Sequence, residues 1–170
     1  VGLTRRMVSS GGDPMVFGRG GEELEFLLKQ GFDAEVVPGI SSAIAAPALA
    51  GIPLTFRGVA ASFAVITGHR QSVCSLDWSI YSGVDTLVVL MGVEHRDVIA
   101  GSLIANGRPA SQPVAFVVNA SKPRSQVVET TLQDIARGNT KVEAPAVMVI
   151  GEVVRIRSRR LVSELEVAAA

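Results

Sequence analysis

Four short, strongly apolar runs constrain the fold of this chain more than any other feature of its sequence. They are Ser62–Thr67, Asp85–Met91, Pro113–Val118 and Ala144–Ile150. Each has the length and composition of a β-strand, and a segment with helical periodicity lies between the second and the third. In that segment Val98, Leu103 and Ile104 form an apolar face, and the helix is expected to end at Asn106-Gly107. Strands that alternate with amphipathic helices predict an α/β fold.

The first third of the chain follows the same pattern. Leu24, Leu27 and Leu28 have helical spacing, acidic residues occupy the expected first turn, and Gly31 provides a stop. A strand is predicted at Phe32–Val37, closed by Pro38-Gly39. These signals predict a helix followed by a strand.

A run of small residues follows this strand. Ser41 or Ser42 can cap a helix over Ala43–Ala50, which Pro47 should kink or shorten. The boundary between two domains is placed near Gly51–Gly58, because glycine and proline residues in this stretch are typical of turns and linkers.

Further downstream, Val127–Thr131 is prone to form a strand and Leu132–Ala136 a short helix, and Val153–Ile156 either prolongs the last strand or pairs with it. The predicted organisation is an incomplete N-terminal α/β domain at residues 1–58, an α/β domain with a mixed sheet at residues 59–157, and a frayed tail at residues 158–170.

Composition limits the partners of the chain. Of 170 residues, 48% are hydrophobic, and 16 Lys and Arg balance 16 Asp and Glu. Such a chain is expected to be globular and soluble rather than disordered or collagen-like. With no net charge and no basic stripe, it offers no general field for nucleic acid, so an anionic partner must meet a local cluster of Arg and Lys.

The cellular setting is predicted from what the sequence contains. Cys74 is the only cysteine, which excludes an intrachain disulfide and a Cys-rich zinc site. No apolar run reaches the roughly 18 residues of a membrane span, and Val1 to Ser10 lack the apolar core of a signal peptide. The chain is therefore expected to be cytoplasmic and not to bind membranes.

A glycine-rich segment from Gly11 to Glu23 leads into the first predicted helix. In open α/β sheets such loops approach ligands closely. The spacing matches neither the dinucleotide fingerprint nor the P-loop, so a nucleoside triphosphate is not indicated. A tight turn in which Asp13 bonds neighbouring amides explains the same residues equally well.

Five blocks of sequence together resemble the uroporphyrinogen-III C-methyltransferases of the tetrapyrrole methylase family. They occur in the family's order between Gly11 and Arg157, and they are Gly11-Gly12-Asp13-Pro14 through Phe17-Gly18-Arg19-Gly20-Gly21-Glu22-Glu23, Val36-Val37-Pro38-Gly39-Ile40-Ser41-Ser42-Ala43, Ala50-Gly51-Ile52-Pro53-Leu54-Thr55, Thr67-Gly68-His69, and Leu90-Met91-Gly92.

The resemblance implies S-adenosylmethionine as methyl donor, uroporphyrinogen III as acceptor, and precorrin-2 for sirohaem and cobalamin as product. It also implies a homodimer and no metal. The donor-binding positions that it implies are Gly11, Gly12, Asp13, Val16, Ser41, Ser42, Met91 and Ala120. Asp13 would lie near the cationic amino-acid end of the donor. Ser41 stands where the family usually has Thr, and Ala120 where it commonly has Gly.

The acceptor of that family carries eight carboxylates, so a cationic rim is expected. The candidates are Arg19, Arg57, Arg70 and Lys122, although each is also compatible with an ordinary solvated surface charge. His69 could bond substrate or backbone at its strand end and is better explained structurally.

The family's acid and base candidates, an Asp and a Lys, lie upstream of the matching blocks. The catalytic residues are therefore unknown, and Val1 to Ser10 depart from the family's pattern. The activity of this chain is left open. Two alternatives remain: a non-catalytic module for donor binding or dimerisation, and a methylase of a later precorrin.

Overall fold

The computed structural model describes residues 11–69, 73 and 76–157. Contacts divide the chain into two compact units, one up to Ser42 and one from Ala43 onward. The predicted boundary near residues 51–58 concerns the domains of the family and stays a prediction. Arg70, Cys74, residues 1–10 and the predicted tail at 158–170 lie outside the described residues.

In the described part of the first unit, the helix α1 covers Gly20–Lys29. Glu22 and Glu23 occupy its first turn and Lys29 its last, where each charge complements the helix dipole. Gly31 follows in the left-handed region with φ +77°, which a glycine adopts without strain. The helix predicted from the leucine spacing is confirmed.

The strand predicted over Phe32–Val37 is wrong. These residues follow α1 without regular secondary structure and belong to no ladder among the described residues. Phe32 and Val37 are exposed, at 62% and 76%. A β-prone sequence becomes a strand only where a neighbouring strand takes its backbone hydrogen bonds.

The second helix, α2, covers Ser42–Leu49 and begins at the last residue of the first unit. Its predicted span is confirmed to within one residue at each end. Pro47 lies inside it, and the helix ends two residues later. Gly51, with φ +71°, then turns the chain.

In its described residues the second unit is built on a five-stranded mixed sheet, which confirms the predicted fold class. Its remaining elements are β1 (Phe63–Thr67), a short 3-10 helix (Trp78–Tyr81), β2 (Thr86–Leu90), α3 (Arg96–Ala105), β3 (Pro113–Val118), β4 (Gln126–Thr131), α4 (Leu132–Ala136) and β5 (Ala146–Ile150). Thr131 caps α4 by accepting a hydrogen bond from the amide of Asp134.

The strand order is β1-β2-β5-β3-β4. β1 and β2 are parallel, whereas β5 is antiparallel to both β2 and β3, and β4 is antiparallel to β3. Strands β1, β2 and β3 therefore point the same way, and their carboxyl ends reach the same edge of the sheet. Loops at that edge are where α/β proteins bind ligands.

Two layers of side chains cover the sheet, because successive residues of a strand face opposite sides. Leu87, Phe116 and Met148 belong to one buried cluster, which α3, α4 and Trp78 complete. The next residues along the strands, such as Val88 and Val149, belong to the other cluster, which α2 completes. Strands β2 and β3 are buried at every position, which explains their nearly continuous apolar sequences.

The prediction that Val153–Ile156 form or extend a strand is wrong. Gly151, with φ +148°, ends β5, and residues 154–157 form one helical turn. A side chain at Gly151 would lie 2.6 Å from the carbonyl oxygen of Asp85, so only glycine fits there. Val153 and Val154 are buried on the α2 side of the sheet. Their apolar character serves packing in the turn.

No helix among the described residues is long and apolar enough to cross a membrane.

The carboxylate of Asp85 is expected to make the stability of the second unit depend on pH in the acid range. Hydrogen bonds from the hydroxyl of Ser62 and from the amides of Ala61 and Ser62 hold the pKa of Asp85 below its ordinary value. A depressed pKa adds stability that is present above the unfolded value of about 3.9 and is lost as the pH falls toward the folded value.

We therefore expect the free energy of unfolding to fall less between pH 6 and pH 3 in Asp85→Asn than in the wild type. Urea titrations at each pH measure this. Glu143→Gln is the matched control, because Glu143 is an exposed carboxylate without a hydrogen-bond partner in the described part of the chain. An unchanged pH dependence in Asp85→Asn would show that Asp85 is not the group that titrates.

Candidate functional site

Gly12 and Gly39 bring two distant segments of the first unit into backbone contact. A Cβ atom on Gly39 would lie 2.0 Å from the carbonyl oxygen of Gly12, closer than any real side chain allows. Gly12 itself has φ +85°, and an ideal Cβ on it would lie 3.8 Å from the Cα of Ser41. The glycine-rich loop and the serine pair, thirty residues apart in sequence, are therefore neighbours.

Asp13 joins these two segments through its carboxylate. Its Oδ2 accepts a hydrogen bond from the amide of Gly39 at 3.1 Å, and its Oδ1 accepts one from the amide of Met15 at 2.8 Å. The bond from the amide of Met15 forms the tight turn that the sequence predicts as the alternative role of Asp13. The first bond is a long-range contact that no local turn requires.

The loop leaves backbone donors available to a ligand. Among the described residues, none accepts a hydrogen bond from the amides of Gly12 or Asp13. Two free amides in a glycine-containing bend are suited to a carboxylate or another anionic group. Val16 is 39% exposed nearby, and its amide bonds the carbonyl of Asp13 at 3.3 Å.

The two serines lie at the start of α2. Ser42 is the first residue of the helix and Ser41 directly precedes it, the position of a capping residue. Gly11 has open space where a side chain would stand. The first unit thus brings Gly12 and Asp13 close to Gly39 and Ser41, and Gly11, Val16 and Ser42 are neighbours of these residues in the sequence.

In the second unit, Met91 and Ala120 lie at the same edge of the sheet. Met91 follows the carboxyl end of β2 and Ala120 that of β3, so with β5 between them their backbones lie on the order of 10 Å apart. Met91 is 54% exposed and has φ +55°, a conformation that non-glycine residues adopt at some energetic expense. Asn119 and Ser121, which flank Ala120, also have positive φ angles. Such strain is concentrated at functional sites.

A second pair of glycines lies in close backbone contact at this edge of the sheet. A Cβ atom on Gly68, at the end of β1, would lie 2.3 Å from the Cα of Gly92, at the end of β2. The amide of Gly68 donates to the carbonyl of Leu90 at 2.7 Å. Neither of these glycines, nor Gly39, was predicted as a site residue, although all three stand in the blocks that carry the resemblance.

The predicted cationic residues do not form one cluster within the described part of either unit. Arg19 directly precedes α1 and pairs with Glu22 at 2.8 Å, and this hydrogen bond and the charge of Glu22 raise the pKa of Arg19. Arg57 lies in the turn leading to the amino end of β1, while Lys122 follows the carboxyl end of β3. Both are exposed. Arg70 lies outside the described residues.

No group of His, Cys, Asp and Glu in the described ranges is arranged to hold a metal ion. The expectation that no metal is needed stays a prediction.

The mixed sheet and its glycine-supported loops define an α/β protein of the kind that holds small ligands in the loops at the ends of its strands. The sequence matches the family Tetrapyrrole (Corrin/Porphyrin) Methylases over residues 6–136, and the chain belongs to that family. The resemblance read from the five sequence blocks is thereby confirmed.

Individual relatives agree with this assignment. The chain is 44% identical over 156 residues to a uroporphyrinogen-III C-methyltransferase of a Sinorhizobium species, covering 87% of this chain and 55% of the relative. It is 43% identical over 159 residues to siroheme synthase 2 of Serratia proteamaculans, covering 92% of this chain and 34% of the relative. The chain thus spans between a third and somewhat more than half of these relatives.

A solved structure has the same architecture. The uroporphyrin-III C-methyltransferase of Thermus thermophilus, complexed with S-adenosylhomocysteine, superimposes with a TM-score of 0.78 at 46% identity, covering 85% of this chain and 64% of that one.

Proposed function

We propose that the chain binds S-adenosylmethionine and belongs to an enzyme that transfers its methyl group to ring carbons of uroporphyrinogen III, giving precorrin-2. The observation that carries the proposal is the contact of Gly12 with Gly39 and Ser41, which joins the two donor-binding blocks expected from the sequence. The complex of the Thermus thermophilus relative with S-adenosylhomocysteine supports this choice of donor.

The described residues suit such a donor in three ways. The free amides of Gly12 and Asp13 fit the donor's carboxylate, the position before α2 provides a hydroxyl at Ser41, and Met91 and Ala120 stand on loops at the ligand edge of the second unit. When bound, the donor supplies a methyl group on a sulfonium. The sulfur keeps the electron pair of the broken bond, the ring carbon forms the new carbon–carbon bond, and the macrocycle loses a proton from another position to a base that is not among the predicted site residues.

The choice of uroporphyrinogen III over a later precorrin rests on similarity. A cobalt precorrin-4 methyltransferase is 26% identical with a TM-score of 0.73, against 46% and 0.78 for the enzyme from Thermus thermophilus. Arg19, Arg57 and Lys122 are exposed and are proposed to meet acceptor carboxylates. The salt bridge of Arg19 with Glu22 is solvent-exposed and therefore weak enough to be exchanged.

A non-catalytic donor-binding or dimerisation module is the second candidate. It is favoured by one observation: the described backbone contacts join donor-binding candidates, whereas no acid or base was predicted in the matching blocks. We further propose a cytoplasmic homodimer that serves sirohaem or cobalamin synthesis, as the family resemblance implies.

Calorimetric titration with S-adenosylhomocysteine tests donor binding. We expect saturable binding of one ligand per chain, and adenosine is expected to bind more weakly because it lacks the group that the free amides of Gly12 and Asp13 would hold. Absence of binding at millimolar ligand would overturn the proposal.

Methyl transfer to uroporphyrinogen III is then assayed by mass spectrometry, with the chain alone and with the preceding segment of the Sinorhizobium relative fused to it. Turnover only in the fusion would favour the donor-binding module for this chain by itself. Turnover by the chain alone would contradict the expectation that the acid and base lie upstream.

A further inference from the structure

Both oxygens of the Asp13 carboxylate are already used by the chain. Oδ1 bonds the amide of Met15, two residues away, and Oδ2 bonds the amide of Gly39, 26 residues away. These two amides fix the position of the carboxylate. The expectation from the sequence was different, since it placed Asp13 beside the ammonium group of the donor.

Gly39 is the partner that makes the long-range bond possible. Its would-be Cβ lies 2.0 Å from the carbonyl oxygen and 2.8 Å from the carbonyl carbon of Gly12, and 3.3 Å from the Cα of Asp13. All three atoms are backbone and cannot rotate away as a side chain could. An alanine at position 39 must therefore push the two segments apart.

This contact governs the geometry of the proposed donor site. Gly12, Asp13 and Ser41 are donor-binding candidates, and the segment that carries Ser41 is held against the glycine-rich loop at position 39. We propose that Asp13 and Gly39 form a clasp that presets the spacing between the free amides of the loop and the serine pair. Asp13 is then a positioning residue, which acts on the donor through Gly39 rather than by an ion pair with its ammonium.

This inference rests on the proposed function, because the ligand that the clasp would help to bind is the proposed donor. The physical basis of the clasp is preorganisation. A loop that is already held in its binding conformation loses less entropy when a ligand binds. The outer lone pairs of the carboxylate remain able to accept a bond from an ammonium. The clasp and the ion pair therefore have to be separated by experiment.

Two ligands separate them: S-adenosylhomocysteine, and its desamino analogue, which keeps the carboxylate but has no ammonium group. If the clasp is correct, Asp13→Ala weakens both ligands by a similar factor, about tenfold to a hundredfold. Gly39→Ala does the same. Asp13→Asn lies between these variants and the wild type, because its amide oxygen still accepts one of the two bonds.

An ion pair predicts another pattern. Asp13→Ala and Asp13→Asn would then weaken S-adenosylhomocysteine alone, whereas the desamino analogue would bind to both variants as to the wild type. That pattern overturns the clasp. Gly21→Ala is the matched control, since a Cβ there meets only the flexible end of Met15 at 4.0 Å, and we expect both affinities to be unchanged.

Hydrogen exchange keeps the clasp testable if the wild type binds neither ligand, an outcome that would refute the proposed function alone. The amide of Gly39 should exchange faster in Asp13→Ala than in the wild type, while amides within α1 exchange at the same rate in both. Equal exchange of the Gly39 amide in the two proteins would overturn the clasp. Unchanged circular dichroism across the variants would confirm that loss of affinity is not loss of fold.

Discussion

Phe116→Ala is expected to lower the free energy of unfolding of the second unit by about 3–5 kcal/mol, the loss typical of deleting a buried aromatic side chain. Phe116 is fully buried in the centre of β3, between β5 and β4, and belongs to the cluster that α3 and α4 complete. The space left behind is enclosed by strands and helices that cannot collapse into it freely, so the cavity adds to the lost burial.

Urea unfolding followed by fluorescence measures this loss. Trp78, the only tryptophan of the chain, lies in the same buried cluster and therefore reports on this unit. Phe63→Ala is the control, because Phe63 is 42% exposed at the start of β1 and should lose about 1 kcal/mol. Equal losses in the two variants would mean that Phe116 is not at the centre of the core.

Arg108→Met is expected to destabilise the second unit by about 2–4 kcal/mol, since it leaves buried acceptors without a partner. Arg108 is 3% exposed, and its guanidinium donates to the carbonyls of Tyr81 and Val84 and to Oε1 of Gln112. Burial lowers the pKa of Arg108, which the charge of Asp85 partly opposes. An arginine still remains charged, so these carbonyls are bonded by a cation at any ordinary pH.

The same urea titration measures this variant against Arg155→Met. Arg155 makes a solvent-exposed ion pair with Glu152, so its loss should change stability by less than about 1 kcal/mol. Arg108→Lys should fall between the wild type and the methionine variant, because one ammonium cannot reach all three acceptors. If Arg108→Met were as stable as the wild type, the expectation that the hydrogen bonds of Arg108 stabilise the second unit would be wrong.

The candidate site could be predicted in part. The family blocks named Gly12, Asp13 and Ser41, and the contact between their segments supports the grouping. The role of Gly39 was not predicted, because the reason for a glycine there is a carbonyl oxygen 27 positions earlier in the sequence. Likewise, Arg108 looks like any surface arginine until the fold encloses it.

The sequence by itself determined the elements whose signals are local. The continuous apolar runs of β2 and β3, the leucine spacing of α1 and the Asn106-Gly107 end of α3 follow from periodicity and from residues that stop helices, and the structure agrees with each. Only the tertiary structure decided which segments pair. Phe32–Val37 has the composition of a strand but no neighbouring strand in the described residues, and β5 lies antiparallel between β2 and β3, an order that no local pattern encodes. Pairing and burial depend on residues far apart in the chain, and a single sequence does not show which of them meet.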